Sequence, residues 1–292
     1  MSVSHIGMIG LGKMGHSIAA NILKKGYTMT LYDIRPEAYA DLLAIGAESV
    51  PTIAELGKRC NFVILMVNTF GQCLNCVNEL VSTMDHGILE VSCTIEMKQV
   101  QELEKLVHKH GVHLLDAPVS GGTRGAESGT LTIMAAGREE VFETARPVLE
   151  CFSQNVIHVG TCVGQGQAIK AINQLLVGIN ICAAAEAFNI ARQCELNLDL
   201  VFNTIKKSAG TSRIFENRGQ FFINRDYSTR STLAIQLKDT QIACHVASDA
   251  GAPAFLGNLC REFFERATGK YSPLQDSIAV IRLFEEMNTT NH

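Results

Sequence analysis

The stretch VGQGQAIKAINQLLVGINICAAAEAFNIARQ, Val163 to Gln193, sets the organisation of the chain. Apolar residues recur in it at helical spacing and no proline interrupts it, which predicts one long helix. The residues that form this pattern are Ile169, Ile172, Leu176, Ile179, Ala183, Ala187 and Ile190. Near the start of the stretch, Lys170 and Asn173 are three residues apart and therefore share one helix face.

Upstream of this helix the sequence alternates between strand and helix patterns, and downstream it shows helix patterns alone. We therefore predict an α/β Rossmann dinucleotide-binding domain at 1–162, an interdomain helix at 163–192 and an all-α domain at 193–292. Because ligand pockets favour the join between domains, we expect the site near this helix, completed when the domains close.

The composition excludes several classes of function. With 47% hydrophobic residues, a net charge of −4 and no block of Lys or Arg, the chain is predicted to be globular and not to bind nucleic acid. The first strand is predicted to begin near Ser4, and no run of eighteen apolar residues is present, so we expect a cytoplasmic protein without a membrane partner.

Ten cysteines are spread along the chain and are predicted to be mostly reduced thiols. Cys73 and Cys76 form a CxxC pair, but no second pair of ligands accompanies it. No metal site is therefore predicted.

The N-terminal residues show a strand, a glycine turn and a helix in succession. The predicted strand His5–Ile9 leads into Gly10-Leu11-Gly12-Lys13-Met14-Gly15, which opens a helical pattern. In a dinucleotide-binding fold the first glycine allows the tight turn, the second lets the pyrophosphate approach and the third lets helix and strand pack closely. A glycine-rich turn without a ligand is the alternative.

An acidic residue ends the second predicted strand. Asp33 lies eighteen residues beyond Gly15, where a carboxylate can accept hydrogen bonds from the ribose hydroxyls and repel a 2′-phosphate. This favours NAD over NADP as cofactor. Arg35, two residues later, would weaken that preference.

More strand patterns follow, with helical segments such as Met97–His110 between them. The predicted strands are 27–32, 62–67, 88–91, 112–115 and 132–136. Such alternation predicts a mostly parallel sheet, and ligands bind at the carboxyl ends of its strands. Asn68, Thr94 and the segment beginning at Asp116 fall at those ends.

The segment Asp116-Ala117-Pro118-Val119-Ser120-Gly121-Gly122 leaves one of these strands. A serine followed by two glycines can present several backbone N–H groups to one anion, and a substrate carboxylate is the expected occupant. The alternative is an ordinary turn, because this tripeptide is common in loops.

The remainder of the chain shows amphipathic segments without strand alternation. These predicted helices are 200–208, 211–222, 233–250, 254–268 and 277–287. The second domain is therefore expected to be helical.

Three motifs, GLGKMG, DAPVSGG and GQGQAIKAINQ, stand in this order and together resemble those of the β-hydroxyacid dehydrogenase family. Its members include 3-hydroxyisobutyrate dehydrogenase, tartronate semialdehyde reductase and L-threonate dehydrogenase. The resemblance covers nearly the whole chain and implies a 6-phosphogluconate dehydrogenase-like fold, an NAD-dependent activity on short hydroxy acids and a homodimer or homotetramer.

The resemblance also implies roles for individual residues. Lys170 would be the catalytic lysine, and Asn173 would hold the substrate. The other implied contacts are the carboxylate cradle Ser120, Gly121 and Gly122, the cofactor contacts Gly10, Leu11, Gly12, Met14, Gly15, Asp33 and Asn68, the nicotinamide contact Thr94 and the cofactor contact Lys238. Many relatives carry two adjacent asparagines where this chain has Asn173-Gln174, which puts the placement of the substrate in doubt.

The C-terminal half is most similar to the L-threonate dehydrogenases, through QLLVGIN (174–180), AGTSRIFENR (209–218), DYSTRS (226–231) and DSIAVIRLF (276–284). The threonate enzymes usually have a histidine at the position of Asn173. The four C-terminal matches favour a four-carbon sugar acid in spite of this difference at Asn173, with 3-hydroxyisobutyrate and tartronate semialdehyde as alternatives.

Oxidation of an alcohol by hydride transfer leaves a hydroxyl proton that a side chain must accept. A lysine can accept it when burial and a nearby positive ring lower its pKa. Lys170 is the expected general acid/base, and Asn173 would orient the substrate through its neutral amide. A surface lysine and a surface asparagine are the alternatives. A protein of a different class, an inactive NAD-binding scaffold or sensor, would keep the glycine turn without turnover.

Overall fold

A computed structural model describes residues 3, 5–228 and 231–288. Ser4, predicted to begin the first strand, lies outside the described residues, as do Thr229 and Arg230 of the DYSTRS motif. The chain forms two compact units, one up to Lys170 and one from Ala171 onward. This division falls inside the long helix, whereas the predicted boundaries lie near its two ends and stay predictions.

Among its described residues the first unit forms nine strands in one sheet. They are β1 (Ile6–Ile9), β2 (Met29–Tyr32), β3 (Glu48–Ser49), β4 (Phe62–Leu65), β5 (Ile88–Val91), β6 (His113–Asp116), β7 (Val119–Ser120), β8 (Leu131–Ala136) and β9 (Ser153–Gly160). The strand order is β3-β2-β1-β4-β5-β6-β8-β7, with β9 paired to β8.

The six neighbouring strands β3, β2, β1, β4, β5 and β6 are paired in parallel. In this register Ile6 aligns with both Met29 and Phe62. Strands β6 and β7 pair with β8 in the antiparallel direction, and β9 is parallel to β8. The predicted mostly parallel sheet is confirmed. Because parallel strands end at the same sheet edge, the residues after β1, β2, β4, β5 and β6 lie along one edge.

Helices cover both faces of this sheet. The helices of the first unit are α1 (Lys13–Lys24), α2 (Ala40–Leu43), α3 (Ile53–Arg59), α4 (Phe70–Leu80), α5 (Met97–His108), α6 (Gly122–Ser128) and α7 (Glu139–Leu149). One hydrophobic core takes its helix residues from α1, α2, α6 and α7, and a second takes them from α3, α4 and α5. Strand residues alternate between the two cores, which is why both faces of β4 are apolar.

Several strand limits differ from the predicted ones. Strand β4 ends at Leu65 instead of residue 67, because Thr69 already caps α4 with its side chain. The sequence patterns did not predict the short strands β3 and β7 or the edge strand β9, which is partly exposed and carries polar residues. Two-residue strands are too short to show a period of two.

The second unit is built from helices, as predicted. It continues α8 (Gln165–Gln193), which begins in the first unit, and adds α9 (Leu198–Ile205), α10 (Arg213–Asn224), α11 (Leu233–Asp249), α12 (Phe255–Lys270), a 3₁₀ turn (Ser277–Val280) and α13 (Ile281–Glu286). Asn197, Ser212 and Thr232 cap three of them with their side chains. The unit packs around Phe188, Phe215 and Phe222, whose rings stack.

Helix α8 confirms the predicted long helix, but part of its apolar pattern is exposed. Ile172, Leu176 and Ile190 are each more than half exposed, whereas Gln167, Lys170 and Gln174 are buried. By length and composition alone, α8 also meets the criteria for a membrane-spanning helix, a test that core helices of soluble proteins pass as well. The predicted cytoplasmic location stays a prediction.

Candidate active site

The glycine turn between β1 and α1 has the geometry of a dinucleotide-binding loop. Gly10 has a φ of 92°, and a Cβ there would lie 2.3 Å from the Met66 carbonyl oxygen. A Cβ on Gly15 would lie 2.0 Å from the Gly10 carbonyl oxygen. A Cβ on Gly12 would meet nothing within 4 Å, so the backbone there faces open space. These three environments match the three duties that such a fold gives its glycines.

Asp33, directly after β2, is tied to this loop. Its Oδ2 accepts a hydrogen bond of 2.7 Å from the backbone N–H of Leu11, and its Oδ1 accepts one of 2.9 Å from the N–H of Arg35. The Arg35 side chain is 57% exposed, and its Nε lies 3.4 Å from Asp33 Oδ1. Leu11 is buried and Met14 is half-buried against the same core. The loop and the carboxylate therefore fit an adenosine ribose and a pyrophosphate.

Asn68 and Thr94 follow β4 and β5 at the same sheet edge. Asn68 is exposed, and its backbone N–H donates to Gln72 Oε1 over 3.0 Å at the start of α4. Thr94 is half-buried. Its neighbours Cys93 and Ile95 are both bound by one side chain, that of Gln167.

Gln167 and Asp116 connect the start of α8 to two strand ends. Gln167 Nε2 donates to the Cys93 carbonyl oxygen and to Asp116 Oδ1, both over 3.0 Å, and Gln167 Oε1 accepts from the Ile95 N–H over 3.1 Å. Asp116 Oδ2 accepts from the N–H groups of Gly164 and Gln167 over 2.9 and 3.1 Å. Burial raises the pKa of Asp116 to about 6, and these N–H donors oppose that rise.

The predicted carboxylate cradle spans the junction of β7 and α6, from Ser120 at the end of the strand to Gly122 at the start of the helix. Gly121 and Gly122 have φ values of 134° and 64°, which residues other than glycine rarely adopt. Ser120 is half-buried, whereas both glycines are exposed. Two consecutive residues of this kind turn the backbone sharply and leave it open to a small anion.

Lys170 is buried, with 6% of its surface exposed, and it belongs to the first unit. Its position one turn after Gln167 places it next to the Asp116 network on the helix surface. A buried lysine in this setting is not the surface lysine of the alternative interpretation.

Asn173, Gln174, Lys238 and Asp239 form a chain of contacts inside the second unit. Asn173 Nδ2 donates to Gln174 Oε1 over 3.0 Å, and Gln174 Nε2 donates to Asp239 Oδ2 over 2.5 Å. Lys238 Nζ lies 3.1 Å from Asp239 Oδ1. Gln174, the departure from the family pattern, therefore orients the Asn173 amide.

Two residues of this region were not predicted as site residues from the sequence. Asp116 and Gln167 stand inside the DAPVSGG and GQGQAIKAINQ motifs, but only the fold brings them into contact. The available signals were an acid at a strand end and a glutamine three residues before Lys170.

Cysteines do not form a metal centre in the part of the chain that the structure describes, where no cluster of three potential ligands is found. Cys73 Sγ lies 3.3 Å from Cys93 Sγ, and both thiols are buried. The absence of a bound metal stays a prediction.

Glu90 in β5 is a fully buried acid. Ser92 Oγ donates to its Oε1 over 2.5 Å, while Oε2 has no hydrogen-bond partner among the described residues. Burial raises the pKa of Glu90 from 4.5 to about 8. The carboxyl group is therefore protonated at neutral pH in the folded protein and ionised in the unfolded chain.

This buried acid predicts a pH dependence of stability. Because the folded state binds the Glu90 proton more tightly, the free energy of unfolding should fall as pH rises from 4.5 through about 8. The loss is of the order of 3 to 5 kcal/mol. Glu90→Gln keeps an acceptor for Ser92 and removes the titration. Urea unfolding of the cofactor-free protein at about pH 5 and about pH 9 should show a smaller loss for the variant, and equal losses would contradict the prediction.

Two family descriptions match the chain in succession. Residues 5–160 match the NAD binding domain of 6-phosphogluconate dehydrogenase, and residues 164–284 match the NAD-binding domain of NADP-dependent 3-hydroxyisobutyrate dehydrogenase. Together they confirm the predicted Rossmann and helical domains, the nicotinamide cofactor and the resemblance of the three motifs.

Individual proteins are similar over almost the full length. L-threonate dehydrogenase of Pectobacterium atrosepticum is 32% identical, covering 96% of this chain and 93% of the relative. The enzyme of the same name from Cupriavidus necator is 34% identical, covering 96% of both chains. A crystal structure of 3-hydroxyisobutyrate dehydrogenase from Salmonella typhimurium has a TM-score of 0.89 and 33% identity, covering 96% of this chain and 99% of that one. The chain therefore belongs to the β-hydroxyacid dehydrogenase family, that of 3-hydroxyisobutyrate dehydrogenase, and is an NAD-dependent hydroxyacid oxidoreductase.

Proposed function

We propose that the protein oxidises a short hydroxy acid, with a four-carbon sugar acid such as L-threonate as the preferred substrate and Lys170 as the general acid/base. One observation carries this proposal. Lys170 is a buried lysine one helical turn from the network that binds both neighbours of Thr94, at the sheet edge where the cofactor loop lies. Bound NAD supplies the hydride acceptor.

Lys170 Nζ is the proposed acceptor of the substrate hydroxyl proton during oxidation and its donor during reduction. The N–H groups of the Ser120-Gly121-Gly122 turn are the proposed hold on the substrate carboxylate. Asn173 follows Lys170 by one turn of α8, and its amide is the proposed hold on the substrate hydroxyl. Holding both ends of a small acid fixes the carbon that loses the hydride.

The four-carbon substrate is supported by the motifs of the C-terminal half and by the names of two relatives. Gln174 replaces the second asparagine that many relatives carry. Its longer side chain reaches the buried Asp239 and fixes the Asn173 amide, so the substrate contacts on this helix face differ from those of such relatives. 3-Hydroxyisobutyrate and tartronate semialdehyde are the competing substrates. Turnover of L-threonate, 3-hydroxyisobutyrate and glycerate with NAD and NADP, and of tartronate semialdehyde with NADH and NADPH, tests the proposal. Threonate with NAD should give the highest kcat/KM, and a higher kcat/KM for one of the other acids would contradict the proposed substrate.

Asp33 supports NAD as the preferred dinucleotide. Its carboxylate, directly after β2, would lie near a 2′-phosphate and repel it. Asp33→Asn keeps an oxygen that can accept from the Leu11 N–H and removes the charge. We expect the ratio of kcat/KM for NADP to that for NAD to rise by about tenfold to a hundredfold.

Arg35→Ala is the matched control for this change. Arg35 is the cation beside Asp33, and its loss should lower kcat/KM for NADP, the opposite of the change expected in Asp33→Asn. An unchanged cofactor ratio in Asp33→Asn would contradict the assignment. The homodimeric or homotetrameric state, Lys238 as a cofactor contact and the lack of a nucleic-acid partner stay predictions.

A further inference from the structure

We propose that Gln167 and Asp116 are positioning residues that fix the loop around Thr94 relative to Lys170, and so set the distance between the hydride and proton transfers. This inference rests on the proposed roles of Thr94 and Lys170. It assigns a function to two buried side chains that touch neither substrate nor cofactor in the proposed mechanism.

The first step concerns the loop after β5. This strand ends at Val91, and its pairing with β6 ends there at Asp116, before the peptide groups around Thr94. The Gln167 amide binds this segment beyond the end of the ladder, since it accepts from the Ile95 N–H and donates to the Cys93 carbonyl oxygen. These two hydrogen bonds are the pair that a neighbouring strand would make to the residues on either side of Thr94.

The second step concerns the Gln167 side chain itself. Asp116 Oδ1 accepts from Gln167 Nε2, and Asp116 Oδ2 accepts from the Gln167 backbone N–H. An ionised carboxylate has acceptors alone, so it forces the nitrogen of the amide toward Asp116 and the oxygen toward Ile95. Gln167 and Asp116 are each fully buried, which shields these hydrogen bonds from bulk solvent.

The third step concerns Lys170. The start of α8 approaches the sheet closely, because a Cβ on Gly166 would lie 2.5 Å from the Met134 carbonyl oxygen and 2.8 Å from that of Asp116. Lys170 stands one turn further along the same rigid helix. The Gln167 side chain therefore ties the loop around Thr94 to the helix turn that carries the Lys170 backbone. A displacement of about 1 Å between reacting groups can lower a rate a hundredfold.

Gln167→Met tests the inference because it keeps the length of the side chain and removes all three amide hydrogen bonds. We expect kcat to fall about tenfold to a hundredfold, with the Kd for NAD changed by less than about threefold. Thr83→Val is the control for loss of stability, since it removes the hydrogen bond from Thr83 Oγ1 to the Ala54 carbonyl oxygen in the same unit. Its kcat should stay within about twofold of wild type.

Gln167→Glu supplies a readout that a general loss of stability does not reproduce. The new carboxyl would face the Asp116 carboxylate and the Cys93 carbonyl oxygen. Cys93 also carries a buried thiol, and Lys170 follows one turn later on the same helix. A protonated glutamate can still donate to Asp116 and accept from Ile95, whereas an ionised one places two like charges together. We therefore expect kcat of this variant to fall as pH rises, along a step that wild type and Gln167→Met lack.

The cofactor-free protein should report the same step. Across the range in which its kcat drops, the unfolding midpoint of Gln167→Glu should fall with pH more steeply than that of wild type, which already falls because of Glu90. A wild-type pH profile for Gln167→Glu, or a kcat for Gln167→Met within twofold of wild type, would overturn the inference. Failure of the proposed function would give a different result, namely full activity in a Lys170 variant.

Discussion

Replacing Lys170 with methionine is expected to lower kcat for the oxidation of L-threonate by about a hundredfold to ten-thousandfold, the range of general acid/base catalysis. Methionine has a similar length and is apolar, so it fills the buried position without leaving a cavity. The Kd for NAD should change by less than about threefold, because Lys170 is not among the proposed dinucleotide contacts, which lie on the loops after β1, β2, β4 and β5 and at Lys238.

Lys170→Arg separates proton transfer from positive charge. Arginine keeps the charge but cannot release a proton at neutral pH, so the oxidation rate should stay as low as in Lys170→Met. Steady-state kinetics and a fluorescence titration of NAD measure the two quantities. A kcat for Lys170→Arg close to that of wild type would show that the charge, and not the proton, matters.

The second large effect concerns the glycine turn, where two Gly→Ala changes should affect different properties, the affinity for NAD in one case and the stability of the fold in the other. Gly12→Ala adds a methyl group in open space, at a φ of −64° that alanine adopts without strain. The cofactor-free protein should therefore keep its unfolding free energy to within about 0.5 kcal/mol. The Kd for NAD should rise at least about tenfold, because the methyl group stands where the pyrophosphate approaches the backbone.

Gly15→Ala is the matched variant. Its Cβ would lie 2.0 Å from the Gly10 carbonyl oxygen, so α1 must move away from β1. We expect a loss of about 1 to 3 kcal/mol in the unfolding free energy before any cofactor is added. Calorimetry of the cofactor-free variants and titration with NAD separate the two effects. Similar affinity for NAD in Gly12→Ala and wild type would contradict the role given to Gly12.

Local patterns predicted the elements that carry them. The glycine turn, the buried strands at 62–65 and 88–91 and the long helix each show their period or their turn residues within the segment itself. Short strands such as β7 depend on pairing with β8, whose partner residues lie twelve to fourteen positions later, and no local pattern reports that contact.

The candidate site was predictable to the same extent. Asp33, Lys170 and the glycines are recognised by type and spacing, whereas the link between Gln167 and Asp116 joins residues fifty-one positions apart. A glutamine on a helix and an aspartate at a strand end have many possible partners. The order of strands in the sheet and the close approach of α8 select this one.

The measurement that tests the central claim most directly is the oxidation of L-threonate by Lys170→Ala with and without added methylamine. The shortened side chain leaves room for a small amine at the position of Nζ. The account predicts a kcat at least about a hundredfold below wild type that rises in proportion to the concentration of unprotonated amine. A kcat for Lys170→Ala within tenfold of wild type in the absence of amine would contradict it.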